Sequence, residues 1–210
     1  MKKQLRPIMF VGTGSDVGKS IINAAFCRIF LQDGFNPAPF KAQNMSLNSY
    51  ATPDGFELGR AQAVQAEACG NKSASEYFVG TDRDVLFEEA MKAYRKLEKN
   101  YNPVVIEGAG SISEINLWDK DITNMRIAKE VQADTYLIAD IDRGGIFGSV
   151  YGTLQLLPPE ERKLIKGTVI NKFRGDLSLF EKGKKMLEEL CGIPVVSIIP
   201  YYRDIYVDDE

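Results

Sequence analysis

The chain has 210 residues, with 29 acidic and 26 basic side chains, 44% apolar residues and no histidine. That length holds one full hydrophobic core, and the small negative charge gives no broad attraction for nucleic acid or anionic lipid. Without histidine, neither a Ser-His or Cys-His nucleophile pair nor a His-ligated metal site can be built from this chain alone. Its chemistry must therefore run on phosphates, lysines and carboxylates. No apolar run approaches the length of a bilayer span, so no membrane partner is expected. Cys27, Cys69 and Cys191 lie far apart without metal-ligand spacing, which suits reduced thiols in cytoplasm.

In chain order, "RPIMFVGT" reads as a buried strand feeding a loop, and apolar residues at helical spacing from Lys19 to Gln32 end at Asp33-Gly34, a helix stop. "NPAPFKAQ" predicts a second strand, weakened by two prolines. "LGRAQAVQAEACG" and "DVLFEEAMKAYRKLEKN" are helical in period. Then "PVVIEGAG", "DTYLIADID", "GTVINKF" and "IPVVSIIP" read as four fully buried parallel strands, rich in β-branched residues. Helices are expected between them over about 124–132, 147–157 and 179–190. Strands alternating with helices predict an α/β fold, a doubly wound, mostly parallel sheet in a single domain over residues 1–200. Residues 201–210 turn polar and acidic, as a linker would.

The loop in "MFVGTGSDVGKS" carries the strongest signal. A strand, glycines at 12, 14 and 18, and Lys19-Ser20 opening a helix are the context of a phosphate loop. Its backbone N–H groups from Gly14 through Ser15, Asp16, Val17 and Gly18 would hold phosphate oxygens, with Lys19 as the point charge and the Ser20 hydroxyl on Mg²⁺. The loop is one residue longer than G-x-x-x-x-G-K-[ST], because Thr13 stands where the first glycine would be. A dinucleotide fingerprint would need glycine in place of Val17 and would not require Gly-Lys-Ser.

Four further clusters fall at strand ends. In "VINKFRGD", Asn171 offers an amide that can donate to and accept from a purine edge, and Arg174 stands where the N-K-x-D guanine motif keeps its carboxylate, which favours ATP over GTP. A strand-end cap is the alternative for Asn171-Lys172. In "VVIEGAGSISEINLWDKDI", Glu107 ends a strand beside the loop as a Mg²⁺ ligand, direct or through water, with Gly108 and Gly110 letting ligand approach the backbone. Asp119 and Asp121 would bind metal or orient the acceptor, unless they are an ordinary solvated turn. Asp16, inside the loop, is also placed to touch metal or substrate. In "PFKAQNMSLNS", Lys41 would neutralise the γ-phosphoryl group in flight, and Gln43, Asn44 and Asn48 offer amides to an acyl or phosphoryl oxygen. In "ADIDRGGIFGS", Asp140, Asp142 and Arg143 precede a Gly-Gly helix start that would serve Mg²⁺, a substrate amine or an anion, or simply cap the helix.

"GTGSDVGKS" resembles the long phosphate loop of dethiobiotin synthetase and its relatives, which activate carboxylates with ATP. Partitioning ATPases carry a second lysine early in the loop, where this chain has Thr13. Taken with "KAQNMSLNS", "DGFELGRAQAVQAEACG", "EGAGSISEINLWDKDITNM" and "DIDRGGIFGS", the chain is similar over nearly its whole length to the N-terminal, ATP-using domain of the cobyric acid synthase family. The resemblance implies ATP-dependent amidation of four peripheral carboxylates of adenosylcobyrinic acid a,c-diamide through acyl phosphates attacked by ammonia. Carried over to this sequence, it implies phosphate contacts from Gly14 to Ser20, metal at Ser20 and Glu107, the base at Asn171, and substrate or metal duty for Asp121. It also implies ammonia from a glutamine amidotransferase domain that would follow residues 201–210, with a homodimer as one possible assembly. Another carboxylate-activating ligase, such as a diamide synthase, and a nucleotide switch remain open alternatives. After Gly70 the family has a few dozen further residues, and here the chain passes directly to "NKSASEYF".

Overall fold

The structure is a computed structural model that describes residues 3–43, 49–52, 57–70 and 82–203. Along the chain run β1 (Ile8–Gly12), α1 (Lys19–Gln32), β2 (Ala38–Phe40), β3 (Ser49–Ala51), β4 (Glu57–Gly59), α2 (Arg60–Ala68) and α3 (Arg83–Asn100). They are followed by β5 (Val104–Glu107), α4 (Met125–Val131), β6 (Asp134–Asp140), α5 (Ile146–Leu156), α6 (Pro159–Arg162), β7 (Ile165–Phe173), α7 (Glu181–Cys191) and β8 (Val195–Pro200).

Six of the strands form one sheet in the order β2-β5-β1-β6-β7-β8, with every neighbouring pair parallel. Side chains of a strand alternate between faces, and both faces are apolar here, so each strand feeds two cores. Met9, Val11, Val104, Ile106, Leu137 and Ala139 pack on one side with Tyr94 of α3, Ile127 of α4 and Val150 of α5. Phe10, Val105, Ile138 and Val169 pack on the other with Ile22 and Cys27 of α1 and Cys69 after α2. This is the doubly wound arrangement expected from the alternating pattern. From β1 the chain turns through α1 to β2 on one flank, whereas from β6 it proceeds to β7 and β8 on the other. The connections thus diverge at β1 and β6, and ligands of open α/β sheets bind at the carboxyl ends of strands beside such a reversal.

Three features depart from the expected pattern. β8 was expected to be fully buried, but it is the edge strand and leaves Val196 49% exposed. An apolar run does not distinguish an edge from a centre. The helix expected from 179 begins at Glu181, after a 3-10 turn over Leu177–Phe180 whose start Asp176 caps by accepting from the Ser178 N–H at 2.9 Å. The antiparallel β3–β4 pair, α6 and a 3-10 turn over Ile115–Lys120 are too short to show a period in the sequence. Among the described residues no helix is long and apolar enough to cross a membrane.

Ile106 is fully buried and lies in register with Met9 of β1 and Phe40 of β2. Truncation there leaves a cavity in the middle of the sheet. Ile106→Ala is expected to lower unfolding free energy by about 2–5 kcal/mol, read as a fall in the urea midpoint at unchanged slope.

Candidate nucleotide site

The loop after β1 is held on both sides before any ligand is considered. The Thr13 N–H donates to the Ile138 carbonyl of β6 at 3.0 Å, the Ile112 N–H to the Gly12 carbonyl at 3.1 Å, and the Ser111 hydroxyl to the Thr13 carbonyl at 3.0 Å. Gly18, with φ of 95°, is the N-cap of α1 and offers no side-chain acceptor to the first N–H groups of that helix. Those donors and the helix dipole remain for an anion. Lys19 is buried and donates to the Gly14 carbonyl at 3.0 Å. Burial pushes its pKa down, with the Glu107 carboxylate pulling the other way.

Asn171, at the end of β7, reaches across to this loop and donates from Nδ2 to the Val17 carbonyl at 2.8 Å. A Cβ on Gly18 would sit 2.2 Å from that nitrogen, so the glycine is required by the approach of Asn171 as well as by its φ. The carboxamide is thereby fixed behind the loop with its oxygen left over from this bond.

Glu107, at the end of β5, is the centre of the other flank. It is 2% exposed, and its Oε1 accepts from the Ser20 hydroxyl at 2.8 Å and from Lys41 Nζ at 3.0 Å. Its Oε2 accepts from Gln65 Nε2. A buried carboxylate needs such donors, and here they come from α1, the end of β2 and α2. Gln65 is itself buried, and its Oε1 has no hydrogen-bond partner. Hydroxyl, carboxylate and amide oxygens of this kind suit a hard divalent cation. No group of three or more His, Cys, Asp or Glu side chains is gathered for a metal among the described residues.

Asp16 is not brought to the Ser20 and Glu107 pair. Its carboxylate, half-exposed, accepts from Arg143 at 3.3 Å, and its carbonyl accepts from Lys172 at 2.6 Å. Asp16 and Lys172 both have left-handed backbone, with φ of 56° and 60°. Lys172 also pairs with buried Asp140 at 3.0 Å. Asp142 takes both Nε and Nη2 of Arg174, whose guanidinium lies 3.5 Å from the centre of the Tyr201 ring. The hydrogen bond from Arg174 lowers the Asp142 carboxyl pKa, and the same bond raises that of Arg174. The acids of the β6 loop are therefore engaged with basic side chains.

Asp121 lies elsewhere, in the wall of a cavity of about 370 Å³ that Gln43, Ser111 and Trp118 also line. Its Oδ1 accepts from the N–H groups of Thr123 and Asn124 and from the Thr123 hydroxyl, and its Oδ2 from the Arg126 N–H. In this arrangement it ties down the turn before α4. Asp119 is exposed, and Asn44 and Asn48 lie outside the described residues, as does the junction after Gly70. Gly108 was expected to admit ligand, yet what stands against it is protein: a Cβ there would meet Asn124 Oδ1 at 2.3 Å, and the Asn124 carboxamide exchanges hydrogen bonds with the Ala109 backbone.

Two residues were missed in the sequence, Gln65 and Asn124. The signal for Gln65 was slight: polar Gln62 and Gln65 on a helix otherwise burying alanines, one donating to the Lys41 carbonyl at 3.3 Å and the other to Glu107. The three thiols are free, as expected, but Cys27 and Cys69 meet in one core, where the neighbouring Cys69 thiol and burial push the Cys27 pKa up.

A parallel doubly wound sheet with a Gly-Lys-Ser loop at the carboxyl end of β1 defines a phosphate-loop nucleotide-binding domain. Residues 8–208 match the family described as CobQ/CobB/MinD/ParA nucleotide binding domain, and the chain belongs to that family. It is 60% identical over 241 residues to a cobyric acid synthase of Parabacteroides distasonis, covering 100% of this chain and 49% of that protein. With a cobyric acid synthase of Chlorobium phaeobacteroides it shares 47% over 236 residues, covering 98% and 47%. The resemblance to the N-terminal domain of cobyric acid synthases therefore stands, and the chain spans about half the length of these curated relatives. The first comparison runs over 241 positions against 210 residues, so about 31 positions of that relative face no residue here. Among solved structures, the signal recognition particle 54 kDa protein from Aeropyrum pernix in complex with GDP superposes with a TM-score of 0.62 at 14% identity, covering 96% of this chain and 43% of that one. The signal recognition particle receptor FtsY from Elizabethkingia anophelis does so with 0.60 at 17%, covering 94% and 59%. These two share the fold.

Replacing Gln65 by leucine removes the donor to Glu107 Oε2 and keeps the volume. Gln65→Leu is expected to cost about 1–3 kcal/mol of stability, read by thermal or urea denaturation of the ligand-free protein.

Proposed function

We propose that the chain activates a carboxylate with ATP for amidation, and that the acceptor is the corrinoid of its cobyric acid synthase relatives, adenosylcobyrinic acid a,c-diamide. The observation that carries this reading is the buried Glu107 carboxylate shared between the phosphate-loop Ser20 and Lys41. In this reading the loop N–H groups from Gly14 to Ser20 and the Lys19 ammonium bind the β- and γ-phosphates. Ser20 and Glu107 would hold Mg²⁺, which would supply positive charge to offset that of the phosphates. Lys41 leaves Glu107 to face the transferring phosphoryl group, and Asn171 meets the base.

A substrate carboxylate oxygen attacks the γ-phosphorus, ADP departs, and the acyl phosphate is attacked by ammonia, with phosphate as the leaving group. Neither step needs a protein nucleophile, so a chain without histidine suffices; its contribution is alignment and charge neutralisation. Asp121 has a positioning part in this scheme, holding the cavity wall where an acceptor side chain would enter, since its oxygens are already occupied. Ammonia is supplied free or by a glutaminase unit, as the family resemblance implies.

The test is mass spectrometry of the a,c-diamide incubated with this chain, Mg-ATP and concentrated ammonium salt. ATP-dependent gain of amides is expected, abolished in Lys19→Ala and slowed about 10²–10³-fold in Lys41→Met. If Lys19→Ala made product as fast as wild type, or if GTP and ATP were both dispensable, the proposal would be lost.

A further inference from the structure

The end of β7 carries a base where a guanine-reading site keeps an acid. Asn171 is clamped to the phosphate loop through Val17, and three residues on stands Arg174, at the same carboxyl edge of the sheet. Its side chain is unusually well fixed for one 46% exposed. Asp142 takes Nε and Nη2, the latter at 3.1 Å, and the Tyr201 ring lies under the guanidinium plane. Both partners are themselves held: the Asp142 N–H donates to Asp140 at 2.8 Å, and the Tyr201 N–H to the Phe173 carbonyl at 2.8 Å. Lys172 joins this strand end to the loop through the Asp16 carbonyl. The pair with Asp142 leaves Nη1 over, on a plane whose orientation is set from two sides.

At ring position 1 the two purines present opposite chemistry to such a donor, although guanine keeps its O6 acceptor next to that position. Adenine offers N1 as an acceptor beside its 6-amino group. Guanine offers an N1–H and a 2-amino group, two donors that a carboxylate accepts and a guanidinium cannot. A donor facing a donor leaves both unsatisfied away from water, which costs more than a hydrogen bond gains. We infer that Arg174, oriented by Asp142 and Tyr201, selects adenine over guanine, with Nη1 donating to purine N1. This inference rests on the ATP reading above and adds the residue that makes the choice.

Binding is measured calorimetrically on the whole chain with Mg-ATP, Mg-GTP and the Mg complex of 1-deaza-ATP, which lacks only the N1 acceptor. Wild type is expected to bind ATP about tenfold or more tighter than either of the others, the scale of one charge-assisted hydrogen bond. Arg174→Ala should bring all three within about threefold of each other by weakening ATP, and Arg174→Asp, which completes an N-K-x-D sequence, should turn the preference to GTP. Equal binding of ATP and 1-deaza-ATP by wild type overturns the inference without any variant, and so does an unchanged ATP-to-GTP ratio in Arg174→Ala. A wild-type chain that binds none of the three overturns the nucleotide reading itself.

Discussion

A carboxylate that is 2% exposed has to be satisfied from within, and the arrangement of the site depends on how Glu107 achieves this. Three elements distant in the chain each contribute a donor: Ser20 from the first turn of α1, Lys41 from just after β2, and Gln65 from α2. A charge buried without them would be costly, so the carboxylate fixes the relative placement of these elements at the carboxyl edge of the sheet. The same contacts put a hydroxyl, a carboxylate and an ammonium beside the Lys19 loop. Packing and the candidate chemistry therefore draw on one set of hydrogen bonds.

The opposite flank of the loop is held by a different chemistry. Asn171 accounts for the absence of a side chain at Gly18, and Lys172 and Arg143 hold Asp16, whose left-handed backbone is otherwise unfavourable for a non-glycine residue. Backbone of this kind persists where surrounding contacts over-determine it. Here those contacts come from the ends of β6 and β7, the strands that follow the reversal of sheet order, so the loop is shaped before phosphate arrives. The proposed transfer chemistry, which uses no protein nucleophile, would draw on such preorganisation.

Much of the fold was legible because its signals are local. The helix from Lys19 to Gln32 has the expected bounds, and the runs that became β5 and β6 are continuous apolar segments, as strands covered on both faces must be. β8 was misjudged because its composition matches theirs while its position at the edge does not. The hairpin β3–β4 and α6 span three or four residues each and carry no period. In the site, Ser20 and Lys41 meet at Glu107 near Lys19, while Asp16 turns to Arg143 and Asp121 ties down a turn. An acid in a polar loop looks the same in sequence whether it holds a metal or backbone N–H groups.

The sequence by itself determined the strand, the long Gly-rich loop and the Gly-Lys-Ser helix start, because each rests on neighbouring residues and on backbone preferences that act locally. It also carried the family resemblance. Only the tertiary structure decided which charges meet. Glu107 finds its partners 87, 66 and 42 residues away, and Asn171 reaches a carbonyl 154 residues before it. Hydrogen bonds act over about 3 Å, and contacts of that range between distant residues exist only once the sheet has set its strand order.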